Sequence, residues 1–137
     1  MYEQNQPEER KSLRLLIVDD NASARSGMKA LLETVASHKW KPDIFEAASG
    51  PEAIDLVETL QPDLILMDAH MPTFNGIEAT RIIKQRWPTI KVIILTLYDA
   101  YRDIALAAGA DLFLLKGGSS EELFSAIYNV SIGQDKS

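Results

Sequence analysis

Four short, largely apolar runs in this chain stop abruptly on residues that can do chemistry. Residues 13–18 end on Asp19-Asp20, residues 64–67 on Asp68, residues 91–95 on Thr96 and residues 111–115 on Lys116. Carboxylates gathered at one place repel one another and invite a divalent cation. Hard oxygen donors suit Mg²⁺ or Mn²⁺, which keep several waters and commonly join carboxylates to an incoming phosphate. Lys116 would add a point charge able to meet a phosphate or carboxylate oxygen, and Thr96 a hydroxyl donor. Such groups stabilise a transferring phosphoryl group by position and electrostatics. A carboxylate can itself be the nucleophile, forming an acyl phosphate, and Asp68 is the best placed for that role.

These groups meet only if the right elements carry them. A short apolar run bounded by polar residues and a nearby Pro, as in residues 63–72, reads as a strand buried on both faces. Residues 43–48 read as a weaker strand near an edge, and its end carries no such group. Helical spacing separates the strands. Ala24, Met28, Leu31, Leu32 and Val35 follow the first, with Asn21 or Ser23 as the cap. Ser49-Gly50-Pro51-Glu52 opens a second helix with a capping Ser, a Pro in the first turn and a Glu three residues on; Ala53, Ile54, Val57 and Leu60 line it.

Pro72, Asn75 and Gly76 predict a loop, and residues 77–87 a third helix with Ile77, Ile82 and Ile83 inward. Residues 98–108 predict a fourth helix, capped by Gly109. A last helix opens at residues 117–122, with Leu123, Phe124, Ile127 and Val130 inward. Five alternating strand–helix units argue for a parallel α/β sheet with helices on both faces. In such a sheet all carboxyl ends share one rim, where ligands bind.

Each of these residues has an ordinary reading too. An acidic pair after a strand often caps a helix, and a Thr can simply end a strand. Phe113 is a packing residue on any reading, and Trp40 and Trp87 suit the edges of a core. The four-part rim is what favours chemistry over these alternatives.

Composition narrows the class. One domain is expected of 137 residues, and with no cysteine there is no disulfide, thiolate metal site or Cys nucleophile. A net charge of −6 makes direct nucleic-acid binding by this chain a poor prospect. No run approaches the ~18 apolar residues of a membrane span, and the polar N-terminus lacks a signal-peptide core, so a cytoplasmic protein is expected. Residues 1–12 read as a flexible tail, 13–132 as the domain and 133–137 as a C-terminal tail or the start of a linker.

Taken together, Val18-Asp19-Asp20-Asn21, residues 67–72 with the later Gly76, Leu95-Thr96, Gly109-Ala110-Asp111 and Leu114-Leu115-Lys116 resemble the receiver (CheY-like) domain of two-component response regulators. The resemblance covers residues 13–132. It implies a flavodoxin-like (βα)5 fold with strand order 2-1-3-4-5, and a signalling module rather than a separate enzyme. Asp68 would accept a phosphoryl group from a sensor histidine kinase. Asp19, Asp20 and Asp68, with the backbone carbonyl of His70, would bind Mg²⁺. Thr96 matches the switch hydroxyl, Lys116 the lysine that contacts the phosphoryl group, and Phe113 the aromatic that rotates inward on activation. Phosphorylation would shift a pre-existing equilibrium and remodel the surface of the fourth helix, fifth strand and fifth helix. A slow autodephosphorylation would reset it.

Residues 71–80 and 114–117 resemble receivers joined to LuxR/NarL-type DNA-binding output domains; no such domain is present in this sequence. A phosphorylation-dependent homodimer through the first and fifth helices, or through the fourth, is compatible with it. His70, Leu97, Tyr98 and Gly117 depart from the commoner residues at their positions and bear on the dephosphorylation rate. Two other classes compete. A Mg²⁺-dependent phosphohydrolase would use the same carboxylates, but the Asp-x-Asp pattern of haloacid-dehalogenase-like phosphatases and a cap insertion are missing. A binding-only pseudo-receiver would not need the whole set.

Overall fold

A computed structural model describes residues 12–35, 40–69 and 75–136, with side chains to residue 131. Residues 1–11 of the expected tail, His70 and most of the loop before Asn75 lie outside the described residues. Five strands alternate with helices: β1 Arg14–Val18, α1 Ala22–Thr34, β2 Asp43–Ala47, α2 Gly50–Leu60, β3 Leu64–Asp68, α3 Gly76–Arg86, β4 Lys91–Thr96, α4 Arg102–Ala107, β5 Leu112–Leu115 and α5 Ser120–Lys136. All strand pairs are parallel, in the order β2-β1-β3-β4-β5. This is the expected flavodoxin-like arrangement.

The alternation of side chains along each strand builds two cores. Leu16, Val18, Ile65, Met67, Val92, Ile94 and Phe113 pack on one face against α2, α3 and α4, through Ala53, Val57, Ile77, Ile83 and Ala105. Leu15, Ile17, Leu64, Leu66, Ile93 and Leu95 pack on the other against α1 and α5, through Leu32, Leu123 and Ile127. β3, buried at every position, is the strand that needs both layers.

Caps follow the local chemistry. Asn21, not Ser23, caps α1 by accepting from Ala24 N at 2.9 Å. Ser49 accepts from Glu52 N at 3.2 Å, while Glu52 reaches back to Ala48 N at 2.8 Å. Asn75 accepts from Glu78 N at 2.8 Å, so Gly76, expected in the loop, is the first residue of α3.

Other differences have local causes. The predicted fourth helix divides into a 3-10 turn, Asp99–Tyr101, and the short α4. No side chain caps its start, and Asp and Tyr are weak helix formers, so the first turn tightens. Gly109 follows α4 with φ +109°, the backbone that suits Gly after a helix. α5 continues through residues 133–136, which the sequence assigns to a tail; Gly133 weakens a helix without breaking it. Ala24 and Val35, expected on the buried face of α1, are exposed; Leu32 anchors that helix.

Thr80 in α3 is fully buried, and its hydroxyl has no hydrogen-bond partner among the described residues. Replacing an unsatisfied buried hydroxyl by a methyl removes a desolvation penalty. Thr80→Val is therefore expected to leave stability unchanged or raise it by about 1 kcal/mol, read from the urea midpoint.

Candidate functional site at the carboxyl edge of the sheet

Strand register assembles the acidic groups. Val18 lies beside Met67, so the next residues, Asp19 and Asp68, emerge side by side. Asp68 lies beside Leu95, and Thr96 beside Leu115, which places Lys116 one step beyond. Asp19, Asp20 and Asp68 each bring a carboxylate oxygen within 4.8 Å of the others. Asp19 and Asp68 are buried, at 6% and 7% exposure, whereas Asp20 faces solvent.

Asp19 is firmly held. Its Oδ1 accepts from Asn21 N at 2.9 Å and its Oδ2 from Lys116 Nζ at 3.0 Å. Lys116 Nζ also lies 3.5 Å from Asp68 Oδ2, so one ammonium bridges two carboxylates from chain positions 97 and 48 residues away. Burial alone would lower the Lys116 pKa. The hydrogen bond to Asp19, the charges of Asp68 and Asp19 and the bond to Asp68 outweigh burial and raise it above its ordinary value. Lys116 is thus a fixed positive charge wherever these carboxylates are ionised.

These residues open onto a cavity of about 250 Å³. Asp19, Asp68, Lys116 and residues 117–120 line it together with the apolar Met28, Leu31, Leu66 and Leu123. Asp68 continues the alternation of Leu64 and Leu66 and so faces the α1–α5 layer. Thr96 continues Val92 and Ile94 toward the opposite layer. It is 1% exposed, its Oγ1 accepts from Tyr98 N at 3.3 Å, and it does not line the cavity. The structure therefore brings Asp19, Asp20, Asp68 and Lys116 together and leaves Thr96, at the end of β4, outside the cavity lining. Phe113 is buried at 5% exposure, with the Arg102 guanidinium 4.7 Å from its ring centroid. Leu97 and Tyr98 are exposed and lie outside the cavity lining.

The family model described as response regulator receiver domain matches residues 15–128. The chain belongs to this family. The receiver domain is 36% identical over 123 residues to the transcriptional regulatory protein DegU of Brevibacillus brevis, a match covering 88% of this chain and 51% of that protein. It thus spans about half the length of that relative. A two-component response regulator of the LuxR family from Aurantimonas sp. SI85-9A1 superposes with TM-score 0.81 at 32% identity, covering 90% of this chain and 87% of that one. The response regulator TrrA of Thermotoga maritima, solved in complex with Mg²⁺-BeF, superposes with TM-score 0.78 at 29% identity, covering 86% and 98%. The receiver is thus a signalling domain of the LuxR/NarL kind. Among its described residues no helix is long and apolar enough to cross a membrane.

Several supporting contacts of the receiver escaped the sequence reading, and of their residues Lys84 was not singled out at all. Lys84 Nζ donates to Pro88 O, Ile90 O and Asp111 Oδ2 at 3.1, 2.8 and 3.0 Å. Asp111 Oδ2 also accepts from Val92 N at 2.9 Å, which pins the start of β4 to the turn before β5. Gly76 packs directly on the backbone of Asp68. Local patterns carry no signal for such contacts, because they join separate elements.

Proposed function

We propose that Asp68 accepts a phosphoryl group from a sensor histidine kinase in a Mg²⁺-dependent reaction. The observation that carries this reading is the cluster of three carboxylates within 4.8 Å, two of them buried and bridged by Lys116, at the carboxyl edge of the sheet. In the reaction an Asp68 carboxylate oxygen attacks phosphorus. A P–O bond forms to Asp68, and the bond from phosphorus to the donor breaks, its electron pair leaving with the donor. The product is an acyl phosphate. Water attacking its phosphorus would release inorganic phosphate and restore the carboxylate.

The donor set fits a hard cation. Asp19, Asp20 and Asp68 would hold Mg²⁺, with His70 lending its carbonyl. When bound, the cation would neutralise charge on the phosphoryl oxygens. Lys116 supplies a second positive charge from the protein itself and keeps the Asp19 carboxylate oriented. Thr96 would turn toward the phosphoryl group and let Phe113 and the α4–β5–α5 surface respond, a population shift. That surface would control a DNA-binding output domain or a partner protein, in the cytoplasm, with a homodimer as one form of the active state. Gly117, Leu97 and Tyr98 would tune the lifetime of the phosphorylated form.

The test is intact mass. Incubation with Mg²⁺ and acetyl phosphate is expected to add one hydroxylamine-labile phosphoryl group. An unchanged mass with the cation present would refute the reading, and repeated turnover of a phosphate monoester would point to a phosphohydrolase instead.

A further inference from the structure

The loop between β1 and α1 presents Asp19 and Asp20, and four contacts hold it. Asp19 N donates to Ala47 O at 3.1 Å. Asn21 N and Lys116 Nζ bond the Asp19 carboxylate. The fourth comes from Arg25 in α1. Its Nη1 donates to the main-chain carbonyl of Asp19 at 2.7 Å, and its Nε donates to Glu46 Oε1 at 3.1 Å.

The Arg25 side chain is only 17% exposed, so its placement is built rather than incidental. Glu46 alternates with Ile44 on the edge strand and faces the α1 layer. Lys29, one turn beyond Arg25, lies 3.9 Å from the other Glu46 oxygen. The guanidinium fork thus ties the backbone of the acidic loop to β2, holding the chain that presents the carboxylates.

We infer that the Arg25–Glu46 pair positions the acidic loop for its cation, so that Arg25 sets Mg²⁺ affinity without taking part in phosphoryl transfer. The inference rests on the reading of Asp19, Asp20 and Asp68 as Mg²⁺ ligands. Three neighbouring carboxylates push one another apart, and a loop free to relax must be drawn back when a cation binds. A planar fork holds a carbonyl and a carboxylate in one fixed geometry, whereas a lysine ammonium is a point charge on a flexible stem with rotatable donors. Outer partners of this kind typically govern metal affinity by roughly 10–100-fold.

Mg²⁺ titration of the full chain by calorimetry, with acetyl phosphate labelling as a second axis, tests it. Arg25→Met is expected to raise the Mg²⁺ half-saturation point on the order of tenfold. At saturating Mg²⁺ the labelling rate should return to near that of the parent chain. Arg25→Lys should fall between the two, and Glu46→Gln should shift the midpoint in the same direction by less. An unchanged midpoint in Arg25→Met overturns the inference, whatever happens to thermal stability. So does a labelling rate that stays low at saturating Mg²⁺, which would place Arg25 in the chemistry. If Arg25→Met does not fold, Glu46→Gln decides by the same midpoint. A parent chain that binds no Mg²⁺ overturns the underlying reading instead.

Discussion

Asp68→Asn is expected to take up no phosphoryl group from acetyl phosphate under conditions that label the parent chain fully. An amide oxygen is a far weaker nucleophile than a carboxylate, and no acyl phosphate can form on it. The neighbouring acids should not substitute. Both Asp19 oxygens accept hydrogen bonds, from Asn21 N and Lys116 Nζ, and Asp20 faces solvent and does not line the cavity. The same substitution removes one of three crowded carboxylates. In the absence of cation the folded chain should be as stable as the parent or more so, by about 1 kcal/mol. Mg²⁺ affinity should fall, because one of three anionic donors is gone. Intact mass, a urea melt without cation and a Mg²⁺ titration separate these effects. Labelling retained in Asp68→Asn would move the acceptor to another residue.

Gly76→Ala should be strongly destabilising. A Cβ at Gly76 would sit 1.9 Å from the Asp68 carbonyl oxygen, 2.9 Å from its carbon and 2.8 Å from Met67 Cγ. The first two neighbours are backbone and cannot swing aside. Either α3 or the end of β3 must move, and the bond from Gly76 N to Ala69 O at 3.0 Å moves with it. Overpacking of this kind typically costs about 1–3 kcal/mol, and the backbone clash puts this site at the upper end. The displaced strand end carries Asp68, so labelling at limiting Mg²⁺ should slow as well. Gly27→Ala is the contrasting case. Its Cβ would meet nothing within 4 Å, and it lies inside α1. Relief of the glycine penalty there should stabilise by about 0.5–1 kcal/mol. If Gly76→Ala melted at the parent midpoint, the close approach at Asp68 would not be a packing constraint.

The features legible in the chain were those that depend on near neighbours. The buried runs ending on Asp19, Asp68 and Thr96 announce strands, because a strand covered on both faces must be apolar throughout, and the apolar run before Lys116 forms the partly exposed edge strand. Ser49 with Glu52 marks a helix start within four residues. The alternation of strands and helices limits the sheet to a parallel one, and a parallel sheet puts every strand end on one rim.

Register and side-chain facing needed the tertiary structure. A strand slipped by one residue would turn its end to the other face, so only the pairing of Val18 with Met67 sets Asp19 beside Asp68. The same alternation turns Thr96 away from the cavity, although its place in the chain suggests a fourth member of the cluster. Arg25 with Glu46 and Lys84 with Asp111 join residues 21 and 27 positions apart, across elements that meet only after folding. By itself the sequence determined which residues reach the rim, because burial and capping act within a few residues. Only the tertiary structure decided which of them share a face and what holds them there, because those contacts depend on how separate strands and helices pack.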